Sequence, residues 1–232
     1  MIALSPEEWT AIRLSLLVAS VGTLASLPLG IFVAYALARW RFPGKMLLNG
    51  LVHLPLVMPP VVTGYLLLLS FGRNGPAGRL LEELFGIVVA FRWTGAALAA
   101  AVMGFPLMVR AIQLSFEAVD TRLEDAAGTL GAGQPWRFLL VSLPLALPGV
   151  LAGTVLAFAK ALGEFGATIT FVSNIPGETQ TISAAIYSYI QQPDGDGPAF
   201  QLMVISIVIA MLALFGSELL QRVARRSRKE PA

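Results

Sequence analysis

Lys160 and Glu164 are the charges whose placement points most directly to chemistry. They stand four residues apart, one helical turn, at the end of the apolar run Phe138–Ala159. Charges at membrane depth are costly, and they mark either a path or a paired interface. Thr168 and Thr170 follow within a few residues and add hydroxyl groups. A cation with neutral donors beside it suits an oxyanion, with Glu164 steadying the lysine. A snorkelling ion pair at an outer boundary fits the same residues. The one histidine, His53, is expected to be hydrogen-bonded at a helix interface, and alone it gives no basis for a metal site. No cysteine is present, which excludes disulfides and thiol chemistry. The patterns G-x-x-x-x-G-K-[ST], G-x-S-x-G and H-E-x-x-H are absent, so neither P-loop ATP hydrolysis nor the common hydrolase sites are encoded. No metal or cofactor site is expected on this chain.

A second constellation carries contact rather than catalysis. Thr121 to Pro144 is a polar interlude between apolar segments. Thr121-x-x-Glu124 has the form of a capping box, each side chain satisfying a backbone N–H at a helix start. Leu123, Ala126, Ala127 and Leu130 fall on one helical face. Gly131 and Gly133 offer left-handed C-cap positions, and Pro135 is expected to stop the helix. The predicted helix has about nine residues, roughly 13 Å, too short to persist alone. Its apolar face rests on its own protein or enters a groove on a partner.

The elements that must position these groups are membrane spans. Of 232 residues, 56% are hydrophobic and 13% charged, against about 45–50% and about 25% in soluble domains. No basic patch with interleaved aromatics supports nucleic-acid binding. Five spans are expected: Leu14–Ala38, Met46–Gly72, Trp93–Val109 with an extension toward Phe116, Phe138–Ala159, and Ala199–Ser217. Pro55, Pro59 and Pro60 predict that the second is kinked or partly unwound. Short helices are expected at Gly78–Phe85 and Ser183–Gln191, the latter with Tyr187 and Tyr189 at headgroup level. Lys160–Pro198 is neither a clean span nor an ordinary soluble loop.

Charge sets the expected orientation. Lys and Arg in loop one (Arg39, Arg41, Lys45), in the loop holding the short helix and in the C-terminal segment total 11, against 5 in the alternate loops. The positive-inside rule then puts the N-terminus outside and the C-terminus in the cytoplasm. Five spans enclose a polar path poorly, which predicts two copies about an axis.

Asp125-Ala126-Ala127, three residues, Gly131, nine residues, then Val141-x-Leu143-Pro144 resembles the EAA loop of ABC importer permeases. Asp125 and Val141 stand where that pattern has Glu and Ile. Phe42–Lys45 (FPGK), His53–Leu68 and Gly163–Ile182 extend the likeness over nearly the whole chain and resemble molybdate permeases, with sulfate and thiosulfate permeases similar in outline. The resemblance implies one permease domain over 1–232, with a coupling loop at 121–144 and a basic cytoplasmic tail at 218–232, in a multi-pass protein of the cell (inner) membrane. It implies an all-α fold with five transmembrane helices. Leu123, Glu124, Asp125, Ala126, Ala127, Leu130 and Gly131 would dock an ATPase. Lys160, Glu164, Thr168 and Thr170 would lie near the path. The implied assembly is a homodimer of this subunit in membrane lipid, with two ABC ATPase subunits carrying ATP and Mg. A periplasmic or lipid-anchored molybdate-binding protein would deliver the anion, and alternating access would move it. Permeases for tungstate or sulfate, and a stand-alone transporter or membrane enzyme, are the alternatives.

Overall fold

The computed structural model describes residues 4–226. They are helical throughout their regular structure, with no strand among them. Four helices are long and apolar enough to cross a membrane: Pro6–Arg39, Trp93–Glu117, Gln134–Leu162 and Asp196–Gly216. The first, α1 (Pro6–Arg39), begins with a closed capping box: Ser5 Oγ accepts from the Glu8 amide at 3.1 Å, and Glu8 Oε2 accepts from the Ser5 amide at 2.6 Å. Pro28 lies inside this helix without ending it.

The predicted second span is broken in two. Helices α2 (Lys45–Val57) and α3 (Pro60–Phe71) meet at 115°. Met58 and Pro59 both have extended backbone, because a residue before proline is disfavoured in the helical region. The consecutive prolines therefore place the break. Val52 of α2 packs with residues at one end of the bundle, and Leu67 of α3 with residues at the other.

After α4 (Pro76–Phe85) comes α5 (Trp93–Glu117), which reaches Glu117 as the extended prediction required. It lies parallel to α1. Leu14 and Val18 meet Ala96, Ala97 and Ala100, while Val33 and Leu37 meet Val109, Ile112 and Phe116. Small residues allow close approach: a Cβ on Gly22 would sit 2.6 Å from the Ala97 carbonyl oxygen. Then follow α6 (Thr121–Thr129), α7 (Gln134–Arg137), a π turn over Phe138–Ser142, and α8 (Leu143–Leu162). The last three form one continuous rod antiparallel to α1, with Ala146 in the cluster at the C-terminal end of α1 and Ala161 in the cluster at its N-terminal end. Pro144 explains the π turn. It has no N–H to give the Leu140 carbonyl, and one wider turn relieves the clash of its ring. The Leu143 amide bonds back five residues to Phe138.

Two short helices complete the opposite end, α9 (Gly166–Val172) and α10 (Ile182–Tyr189), and α11 (Asp196–Arg226) closes the bundle. The predicted Ser183–Gln191 helix is α10, shifted by a residue or two. It is packed rather than laid on a surface: Ile182, Ala185 and Leu202 form a cluster with Ala11 and Ile12. The path of the chain puts residues 39–45 and 118–137 at one end of the bundle and 72–92 and 160–198 at the other. This matches the grouping of loops used in the charge count. Of the basic tail, residues 227–232 lie outside the described residues.

Candidate functional site

Helix α6 is displayed rather than packed. None of its residues is buried, and Leu130, just past its end, is 88% exposed. Leu123 and Ala126 are also exposed and Ala127 is half-buried, so most of the face that sequence periodicity singled out has no cover within its own chain. The expected length of nine residues is observed, and Gly131 takes the left-handed φ of +87° that reverses the chain. Three details differ from expectation. The N-cap is Asp120, whose carboxylate accepts from the Arg122 amide at 2.9 Å. Gly133 is not left-handed, with φ −66°. Pro135 opens the first turn of α7 rather than merely ending α6.

The capping box fails because Glu124 has better partners. Its carboxylate pairs with the Arg39 guanidinium at 3.0 Å and accepts from the buried Ser142 hydroxyl at 2.9 Å. Arg39 also donates to the Val119 carbonyl at 2.8 Å. Glu124 thus ties α6 to the end of α1 and to the π turn that leads into α8. Arg137 adds a brace, donating from Nε to the Ala132 carbonyl at 2.7 Å. Its guanidinium lies where a side chain on Gly128 would be. Together these bonds make α6 a lever fixed at its base. Beside it a cavity of about 680 Å³ opens between Phe32, Tyr35, Trp40, Phe138, Glu124 and Asp125. Ser142 and Arg39 hold the candidate site together through Glu124, and sequence alone places neither there: Arg39 enters it only as a topological charge.

Losing the Glu124 carboxylate should free α6. One charge-assisted bond of about 1.5 kcal/mol corresponds to roughly tenfold more opening. Glu124→Ala should therefore speed tryptic cleavage after Arg122 about tenfold, with the spans intact. An unchanged cleavage rate would show that the latch does not hold the helix.

At the opposite end, the Lys160–Glu164 pair forms at 2.8 Å. Glu164 is 2% exposed and Lys160 30%. The second carboxylate oxygen of Glu164 accepts from the Ala167 amide at 2.9 Å, which caps α9. A buried carboxylate is costly unless it is paired and hydrogen-bonded, and Glu164 has both kinds of partner. Thr168 is buried, and the Thr170 hydroxyl donates to the Gly166 carbonyl at 2.8 Å. The helix that bears both threonines is held tightly against α3, since a Cβ on Gly64 would meet the Ala167 carbonyl oxygen at 2.4 Å. The expected quartet is therefore gathered around one short helix, with Lys160 its one cation. His53 bonds through Nδ1 to the Asn49 carbonyl at 2.8 Å, within its own helix rather than across an interface. No cluster suited to a metal ion occurs among the described residues.

Residues 26–227 match the family model described as binding-protein-dependent transport system inner membrane component. This chain belongs to that family. Membership makes it a multi-pass inner-membrane protein, in keeping with its long apolar helices. It is 60% identical over 223 residues to the molybdenum transport system permease protein ModB of Escherichia coli K12, covering 96% of this chain and 97% of that one. The ModB protein of Haemophilus influenzae is 56% identical over 216 residues, covering 93% and 94%. The fold is shared with the crystal structure of a bacterial alginate ABC transporter in complex with a periplasmic protein bound to an alginate pentasaccharide. There the TM-score is 0.73 at 17% identity, with 98% of this chain and 82% of that chain covered. The all-helical permease fold expected from sequence is thus the observed one.

Proposed function

We propose that this chain is the membrane-spanning subunit of an ATP-driven importer of molybdate. The observation that carries the reading is its 60% identity, along nearly its whole length, with a molybdenum transport permease. The exposed α6 supports it further: an apolar helical face largely uncovered in its own chain suits a groove on an ATPase subunit. The excess of Lys and Arg at that end of the bundle supports a cytoplasmic location for α6.

The mechanism follows from the lever. ATP binding closes a pair of ATPase subunits, and the two α6 helices of a permease homodimer move with them. Through Glu124, Arg39 and Ser142, α6 carries that displacement into α1 and α8. The spans then open outward to accept molybdate from an external binding protein, and hydrolysis resets them. In this reading ATP and Mg belong to the partner subunit. Leu123, Ala126, Ala127 and Leu130 make the contact, Asp125 borders it, and Gly131 allows the close turn.

Lys160 contributes to the anion's path, steadied by Glu164, with the Thr168 and Thr170 hydroxyls nearby. Lys160→Met should lower molybdate uptake at least tenfold, the value of about 1.4 kcal/mol of lost attraction. The Lys160→Met, Glu164→Gln double variant controls for the carboxylate left unpaired. Full uptake by a normally assembled Lys160→Met transporter would remove this residue from the path.

The substrate is tested by ATP hydrolysis in the reconstituted transporter, with binding protein loaded in turn with molybdate and sulfate. Stimulation by molybdate alone is expected. Equal stimulation by both would keep an importer and discard the molybdate assignment.

A further inference from the structure

Helix α4 carries charge on one side and apolar bulk on the other. Leu80, Leu81, Leu84 and Phe85 fall on one arc of the helix, and Arg79, Glu82 and Glu83 on the opposite arc. Leu84 is 65% exposed and Phe85 67%, and Leu80 is exposed with them, so most of the apolar arc has no cover within its own chain. With 10 residues, α4 is far too short to cross a bilayer. The chain turns left-handed at Gly86, with φ +65°, and then presents Ile87 and Phe91, both exposed. Phe91 itself holds a left-handed φ of +58°, which a bulky side chain rarely adopts, and its ring finds little cover in the chain in return.

Tryptophan marks the level at which α4 sits. Trp9 and Trp93 lie at the end of the bundle that carries α4, and Trp40 and Trp136 at the other. Tryptophan collects at the two headgroup levels of a membrane protein, and this chain is a multi-pass membrane protein. Arg73, Arg79 and Arg92 surround the apolar surface, exposed and in no ion pair among the described residues, as suits lipid phosphates. The position of α4 is fixed by bare backbone. Side chains on Gly75 and Gly78 would run into the Ser70 and Gly72 carbonyl oxygens, so only glycine lets α4 lie directly on the end of α3. A soluble protein docking here would leave the apolar arc in water between visits, whereas a bilayer covers it permanently. We propose that α4, with Ile87 and Phe91, is an anchor lying in the headgroup layer of the membrane. Its apolar arc faces the acyl chains, and Arg79, Glu82 and Glu83 face water. The interfacial place that sequence suggests for α10, which is packed inside the bundle, falls to α4.

The chain has no cysteine, so a single introduced thiol reports a single site. Leu84→Cys on the apolar arc and Glu82→Cys on the polar arc would each be labelled with a nitrobenzoxadiazole fluorophore before assembly with the ATPase partner. The transporter would then be placed in vesicles of phosphatidylethanolamine and phosphatidylglycerol containing a lipid with a nitroxide high on its acyl chain. That lipid should quench the label at position 84 about threefold more strongly than at position 82, the contrast expected of a helix sunk roughly 5–10 Å on one face only. Aqueous iodide should reverse the order. Adding Leu80→Glu and Phe85→Glu should about halve the lipid quenching at position 84 while the subunits remain assembled. Equal lipid quenching at the two positions would overturn the proposal. So would unchanged quenching in the glutamate variant, which would show that the rest of the fold, and not the apolar arc, sets the position. Iodide quenching at position 84 that disappears when a binding protein is added would make this a protein-docking surface instead. Protection of position 84 from both quenchers would assign it to a contact with a second copy of the chain. Neither transport nor ATP hydrolysis enters the readout, so the result stands apart from the importer reading.

Discussion

A charged side chain at Ala126 is expected to uncouple ATP hydrolysis from transport while leaving the membrane spans folded. Ala126 is exposed on a helix that buries nothing in its own chain, so Ala126→Arg disturbs no internal packing. Its cost appears when α6 enters a groove. A charge desolvated there without a partner costs about 2–5 kcal/mol, roughly thirtyfold or more in affinity. The variant should reach the membrane at normal levels, co-purify poorly with the ATPase subunit and import little molybdate. Import at the full rate would place the docking surface elsewhere.

The second large effect is expected at Gly64. A Cβ there would meet the Ala167 carbonyl oxygen at 2.4 Å, the Ala167 Cα at 2.9 Å and the Thr170 Cβ at 2.9 Å. Two of the three are backbone atoms, which cannot swing aside as the end of a long side chain can. Gly64→Ala should therefore cost about 2–3 kcal/mol by overpacking. It should lower the unfolding midpoint in detergent by roughly 4–12 °C. Gly50 is the matched control, since nothing lies within 4 Å of a Cβ built there. Gly50→Ala should be neutral or gain up to about 1 kcal/mol from helix propensity. Because α9 carries Thr168 and Thr170 and is capped by Glu164, Gly64→Ala should also impair uptake. Equal midpoints for the two variants would show that α3 and α9 do not pack this closely.

Much of this architecture was legible in residue order. Apolar runs long enough to span a bilayer named five spans, four of which are single long helices among the described residues, because hydropathy over some twenty residues reads independently of tertiary partners. Pro59 and Pro60 marked the break between α2 and α3, because proline acts through its own backbone. The features that escaped depend on distant partners. Ser5-x-x-Glu8 and Thr121-x-x-Glu124 share one pattern, yet only the first closes into a capping box. The difference is Arg39, 85 residues before Glu124, whose charge draws the carboxylate away from the backbone. No local signal announces that pairing. The π turn is an intermediate case. Pro144 signals a disturbed helix, but the wider turn, with Ser142 beside it on Glu124, required the packed structure. The Lys160–Glu164 pair was visible as an i, i+4 spacing, and its cap on the Ala167 amide was not.

Which part of the chain meets the ATPase is directly measurable, because the chain contains no cysteine. Leu130→Cys and Leu80→Cys place single thiols on exposed residues at opposite ends of the bundle. Each variant, assembled with its ATPase partner, would be treated with a short thiol-to-amine cross-linker. A covalent permease–ATPase adduct from position 130 and none from position 80 is the predicted result. An adduct from position 80, or none from position 130 in an assembled complex, would contradict both the docking role of α6 and the orientation on which it depends.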